Sequence, residues 1–109
     1  MDSGNCDIIT KATNFIEANY MKKLTLEDVA GSVYLSTAYF SRLFKQETGQ
    51  SFSNYLNLVR IEESKKLLKN AGVSISKIAG MVGYEDQSYF SKVFKKMVGV
   101  SPIKFRRSL

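Results

Sequence analysis

Residues 86 to 99 read DQSYFSKVFKKMVG, and residues 36 to 49 read STAYFSRLFKQETG. Both stretches fit one pattern, a small polar residue followed by xxYFS(R/K)xFKxxxG. The likeness continues upstream, where the apolar residues that precede the first copy recur 49 residues later. They are Leu26, Val29, Ala30, Val33 and Leu35, matched by Ile75, Ile78, Ala79, Val82 and Tyr84. Such internal repetition predicts two copies of one structural unit.

Each copy has the layout of two helices joined by a short turn. Ser36 and Asp86 are N-cap candidates for the second helix of each copy, and Gly49 and Gly99 are left-handed stops. Ala30 and Ala79 lie where the two helices must cross, because a small side chain allows close approach; we therefore expect two helix-turn-helix units. Their turns differ in one residue. Gly83 suits a positive φ, whereas Tyr34 in the first copy would be penalised there by ~1 to 2 kcal/mol, so we expect the first turn to be shaped differently.

The rest of the chain is also helical in pattern. Apolar residues at i, i+3 and i+4 steps predict a first helix over residues 8 to 20. Thr25 and Asp28 resemble a capping box at the start of the next helix. A long helix is predicted to follow Ser51 and to end near residue 70. The sequence predicts an all-α fold of seven helices, with two helix-turn-helix units joined by a long linker helix. The expected division is residues 1–7, an N-terminal tail or linker; 8–50, the first unit; 51–72, the linker helix; and 73–109, the second unit.

The second helix of each unit has two different faces. One carries large apolar residues that we assign to the core: Phe40, Leu43 and Phe44 in the first copy, and Phe90, Val93, Phe94 and Met97 in the second. The opposite face carries small residues and cations: Ala38, Ser41, Arg42 and Lys45, then Ser88, Ser91, Lys92 and Lys95. Small side chains let a helix approach base edges closely in the major groove, and a positioned Arg can bind guanine bidentately.

Composition supports a basic, soluble domain. The chain has 16 basic and 10 acidic residues, and the excess lies after residue 30. This charge suits nucleic acid or an anionic surface. We predict a cytoplasmic protein without a membrane association, since no apolar run approaches the ~20 residues of a membrane span and no signal peptide is recognisable. With no histidine and a single cysteine, Cys6, we predict neither a metal site nor a cofactor.

Two other functional classes fit the sequence less well. A helical protein-interaction module with a basic surface is the alternative, although partner-binding grooves are usually apolar and the repeated faces here are not. An enzyme is not expected, because the sequence has no glycine-rich phosphate loop and no nucleophile with an evident base.

The stretch from Ile78 to Arg107 resembles the C-terminal signature of the AraC/XylS transcription regulators, and RIEESKKLL at 60–68 looks like their RxxxAxxLL linker pattern. The resemblance covers about residues 8 to 107. It departs at Lys92, where Arg is more frequent, and at Ser64, where Ala is usual. It implies sequence-specific binding of double-stranded DNA, with the two reading helices in adjacent major-groove segments. The implied base-reading residues are Ala38, Ser41 and Arg42 in the first unit and Gln87, Ser88 and Lys92 in the second.

Other residues are expected to hold the sugar-phosphate backbone: Thr37, Lys45, Ser91, Lys95, Ser101 and Lys104. The family resemblance also implies RNA polymerase as a partner and a sensing or receiver domain outside this chain. We expect a transcription activator, while the residues themselves leave repression and the identity of the signal open.

Overall fold

The computed structural model describes residues 3–109, apart from the side chains of Ser3 and Cys6, so the single cysteine side chain lies outside what is described. This part of the chain forms seven α-helices and no strand, which confirms the predicted all-α fold. The helices are α1 (Ser3–Asn19), α2 (Leu26–Ser32), α3 (Thr37–Thr48), α4 (Phe52–Leu68), α5 (Ile75–Met81), α6 (Gln87–Val98) and α7 (Pro102–Arg107).

The chain divides into two compact units, of which the first ends at Leu56 and the second begins at Asn57. In the first unit, α1, α2 and α3 pack against one another, and Phe44 meets the Tyr55 ring edge-on at 5.4 Å between centroids. In the second unit, α6 packs against α5 and α7, and the Phe94 ring lies 5.8 Å from Phe90 and 5.5 Å from Phe105. Each reading helix is therefore held from behind by a cluster of aromatic rings.

Most helix ends lie where the capping residues in the sequence predict them. Thr25 and Asp28 form the predicted capping box, and the side chains of Ser36, Ser74, Asp86 and Ser101 each accept a hydrogen bond from the backbone N–H three residues on. Gly49 and Gly99 close α3 and α6 in the left-handed conformation, with φ of 78° and 98°. The predicted capping box, the N-caps at Ser36 and Asp86 and the two glycine stops are confirmed.

The first turn is not shaped differently from the second, and that expectation was wrong. Tyr34 adopts a φ of 60°, in the same left-handed region as Gly83 at 106°. Leu35 N–H donates to Ala30 O at 3.0 Å, and Tyr84 N–H donates to Ala79 O at 2.9 Å. Because Ala30 and Ala79 are both 1% exposed at the helix crossings, the close packing of the two helices fixes the turn and overrides the residue's own preference.

Two expected boundaries differ from the structure. Helix α1 begins at Ser3, so residues 3–7, assigned above to a tail or linker, are helical, while Met1 and Asp2 lie outside the described residues. The linker helix, expected over 51–72, spans Phe52–Leu68, and the division between the compact units falls inside it. Its second part belongs to the second unit, where Ile61, Ser64 and Leu68 are all buried. Ser64 is accommodated there because its hydroxyl donates to Ile61 O at 2.6 Å.

Candidate nucleic-acid interface

The outer faces of α3 and α6 carry the predicted reading residues. Six side chains were assigned to base contacts, and all of them are exposed; they are Ala38, Ser41, Arg42, Gln87, Ser88 and Lys92. On α3 the exposed set continues with Lys45, and on α6 with Lys95, while Ser91 is half-buried. Each helix therefore presents a row of short side chains flanked by cations, the surface suited to entering a major groove.

The opposite faces of the same helices are buried. Phe40, Phe44, Phe90 and Phe94 are each fully inaccessible to solvent, and Leu43 is 3% exposed. Val93 and Met97, which were assigned to the core with them, are half-buried instead. Val93 matches Leu43 in the repeat, so the two reading helices differ in burial at this position. The fixed inner face determines which residues face outwards.

The residues expected to contact the DNA backbone differ in their exposure to solvent. Thr37 is the first residue of α3 and is half-buried. Ser101 is also half-buried, and its hydroxyl accepts the Lys104 N–H at 3.1 Å, so this side chain is engaged in capping α7. The Lys104 side chain itself is exposed.

The cations on the reading faces are available for an outside partner. Among residues 3–109, none of Arg42, Lys45, Lys92, Lys95 and Lys104 is in an ion pair or a side-chain hydrogen bond. The charge is unevenly divided: the first unit has five basic and six acidic residues, and the second has eleven basic and four acidic. The second unit therefore supplies the attraction to a polyanion.

Some cations of the second unit are used inside the fold, which sequence reasoning did not foresee. The Arg106 guanidinium donates to Leu68 O, Asn70 O and Val73 O at 3.0, 3.1 and 2.6 Å. The Arg60 guanidinium carbon lies 5.3 Å from the centroid of the Tyr84 ring. These contacts join residues 24 to 38 positions apart, so no local pattern could have revealed them.

Tyr84 fills the position that Leu35 has in the first unit, and it is 5% exposed. Its phenol O–H donates to Asn57 Oδ1 at 2.8 Å. Burial raises the pKa of Tyr84 above its ordinary value, against an opposing effect of Arg60. The hydrogen bond and the cation over the ring together hold the turn before α6 against the second part of α4.

No helix within residues 3–109 is both long and apolar enough to cross a membrane. No group of three or more Cys, Asp or Glu side chains in that part of the chain is arranged to bind a metal ion.

Comparison with known proteins gives consistent matches. A family model described as a helix-turn-helix domain matches residues 29–108. The regulatory protein PocR of Salmonella typhimurium is 40% identical over 99 residues, which are 91% of this chain and 33% of PocR. The chain spans about a third of the length of the curated relatives that it matches.

Solved structures share this fold over nearly the whole chain. The C-terminal domain of AraT, a response regulator of Geobacillus stearothermophilus, is 42% identical with a TM-score of 0.89, over 94% of this chain and 85% of that one. A transcriptional regulator of Chromobacterium violaceum, described as containing an AraC-type DNA-binding domain, is 28% identical with a TM-score of 0.87, over 97% and 95% of the two chains.

Proposed function

Since this chain belongs to the AraC family of helix-turn-helix transcription regulators, we propose that it binds double-stranded DNA sequence-specifically, with α3 and α6 as the reading helices. The observation that carries the proposal is the duplicated two-faced helix. In both copies, large aromatic residues are buried behind a face of small side chains and unpaired cations. A single helix of this kind is common on protein surfaces, but two copies behind the same turn are not expected without a shared ligand.

The proposed roles divide into reading and holding. Arg42 and Lys92 occupy the same place in the two copies, four residues from Ala38 and Ser88, so each cation is flanked by a small residue on the same helical face. Arg42 can bind a guanine through two parallel hydrogen bonds, while Lys92 offers a point charge and reads with less geometric selectivity. Lys45, Lys95 and Lys104, at the far end of each reading helix and on α7, are assigned to phosphates, which position the protein without reading sequence.

The wider role is also a proposal. We propose that it acts in the cytoplasm on a promoter and activates transcription by contacting RNA polymerase. AraT is a response regulator, and the relatives are about three times longer than this chain. A sensing or receiver domain elsewhere in the full-length protein is therefore proposed as the partner that controls DNA binding.

Selection of bound duplexes from a random pool, at one stated salt concentration, tests the function. The expected site is non-palindromic, with two half-sites about one helical turn apart, since two non-identical reading helices belong to one chain. Arg42→Ala should weaken binding to that site, whereas Lys11→Ala removes the same charge from an exposed position on α1 and should not. A palindrome without preferred spacing would contradict tandem reading. Failure to bind any duplex at low salt would instead favour the protein-interaction module.

A further inference from the structure

Tyr34 stands out among the residues of the first unit because its backbone is strained and its side chain is not held. It is the one residue other than glycine with a positive φ in residues 3–109. The matching turn in the second unit has glycine at this position and the same hydrogen bonds, since Tyr34 N–H donates to Gly31 O at 3.1 Å and Gly83 N–H donates to Gly80 O at 3.2 Å. Glycine therefore builds this turn without the strain that a side chain brings.

The fold gains nothing from the Tyr34 side chain. It is 94% exposed, the largest exposure among the large apolar and aromatic residues described. Within residues 3–109, no hydrogen bond or ring contact engages its phenol group. A large aromatic residue that is strained, exposed and unsupported has no structural reason to be there, and strain of this kind points to a functional use.

The position of Tyr34 indicates what that use is. Tyr34 lies two residues before Ser36, the N-cap of α3, so its Cα is within about 7.6 Å of the Ser36 Cα. The residues that follow the cap, Thr37 and Ala38, begin the proposed reading face. When the start of a helix enters a major groove, the residues just before it lie beside the phosphates that border the groove.

The first unit has few cations with which to hold the DNA backbone. Its acidic residues outnumber its basic ones by one, and its reading face offers only Arg42 and Lys45 as cations. A tyrosine hydroxyl is one of the groups that donate hydrogen bonds to phosphate oxygens in DNA complexes. It can fix the register of α3 on the duplex without adding charge.

We propose that the Tyr34 phenol O–H donates a hydrogen bond to a DNA phosphate at the edge of the groove that α3 enters. Tyr34 is then a positioning residue for base reading by the first unit. This inference rests on the proposed function, and the contact is absent from the second unit, where Gly83 has no side chain to make it.

The test compares Tyr34→Phe, which removes only the hydroxyl, with Tyr34→Gly, which copies the second turn. Both are measured in the full chain by thermal melting and by titration of the selected duplex and a scrambled duplex at several salt concentrations. Tyr34→Phe should melt as the unaltered protein does, and Tyr34→Gly should melt at the same or a higher temperature. Both should bind each duplex roughly tenfold more weakly, as expected for loss of one hydrogen bond to a charged group.

The salt dependence gives a second readout. Because tyrosine is uncharged, the slope of log K against log salt should stay unchanged in both variants, whereas Lys104→Ala should reduce it by about one. A reduced slope in Tyr34→Phe would contradict the assigned contact. A drop in melting temperature for Tyr34→Gly would show that the fold itself holds the side chain, and would also overturn the proposal.

The outcomes separate this proposal from the proposed function. Normal binding by both Tyr34 variants, with Arg42→Ala weakened, would overturn the phosphate contact and leave DNA reading intact. Weak binding by Tyr34→Gly alone would exclude the hydroxyl as the contacting group. Normal DNA binding with lost transcription would assign Tyr34 to a protein partner instead. Failure of the unaltered chain to bind the selected duplex would refute the proposed function itself.

Discussion

Arg106 offers the sharpest test of whether a basic residue in this chain serves the fold or the DNA. It lies in α7, within the most basic stretch of the sequence, yet its guanidinium donates three hydrogen bonds to backbone carbonyls. These belong to Leu68, the last residue of α4, and to Asn70 and Val73 in the segment that follows. The last carbonyls of a helix have no partner within it, and a cation there is also favoured by the helix dipole.

The size of the effect can be worked from these contacts. Hydrogen bonds to a charged group contribute about 1.5 to 3 kcal/mol each, but those made by one side chain are not additive and one of the three is exposed to water. The conformational entropy that the long arginine side chain loses when it is held in place opposes these hydrogen bonds by up to about 2 kcal/mol. Arg106→Ala should therefore lower the free energy of unfolding by about 2 to 4 kcal/mol. For a domain of this size, that is a fall in melting temperature on the order of 10 °C.

Urea denaturation and thermal melting measure the loss, with Arg107→Ala as the matched control. Arg107 is the next residue and is equally basic, but it is exposed whereas Arg106 is half-buried, so its removal should change stability by less than about 0.5 kcal/mol. Arg106→Lys should recover little, because a lysine cannot present several N–H groups in a fixed plane. The reasoning is refuted if Arg106→Ala melts like Arg107→Ala and instead reduces the slope of log K against log salt by about one.

Three further predictions concern the core, the interface and the alkaline range. Phe94→Ala should reduce stability by ~3 to 5 kcal/mol, since the ring is fully buried; a melting curve like that of the unaltered protein would mean that the faces of α6 are assigned backwards. Arg42→Ala should reduce the free energy of binding to the selected site by about 1 to 3 kcal/mol and relax the base preference at one position. Lys104→Ala should weaken binding to specific and random duplexes alike. Titrations showing the reverse pattern would exchange these roles. Because burial raises the pKa of Tyr84, the folded state keeps this phenol neutral at pH values where the unfolded chain ionises it. Stability should be unaffected below about pH 10 and fall as pH rises further, which denaturation at graded alkaline pH would detect.

Most of the fold could be predicted because its signals are local. An N-cap, a capping box and a glycine stop each involve residues within four positions of one another, and the structure has them where the pattern indicates. The repeat strengthens these predictions, because the same local signals occur in both copies. Assignment of the exposed faces follows from helical periodicity once Phe40 and Phe90 are known to be buried.

The features that could not be predicted all depend on tertiary packing. Tyr34 violates its own backbone preference because the crossing of α2 and α3 at Ala30 fixes the turn, and propensity is the weaker effect. Arg106 looks like a DNA-binding residue in sequence, but its partners lie 33 to 38 residues away. Likewise, nothing near Tyr84 in the sequence indicates that Asn57 accepts its hydrogen bond. In each case, packing within one unit decides between two roles that the sequence alone permits.

The contacts that individual cations make within the fold also decide how much of the net positive charge is available to DNA. Of the eleven cations in the second unit, Arg60 and Arg106 contact an aromatic ring or backbone carbonyls, and Lys65 and Lys66 form ion pairs on α4 at 2.8 Å. The attraction to DNA therefore depends mainly on the remaining cations, which include Lys92, Lys95 and Lys96 on α6 and Lys104 and Arg107 on α7. The first unit is slightly acidic, so whatever sequence preference it contributes has to come from the geometry of Arg42 and its small neighbours rather than from charge. Binding strength thus depends mainly on the cations of the second unit, whereas both units carry proposed base-reading residues, and salt should weaken the strength much more than the base selectivity.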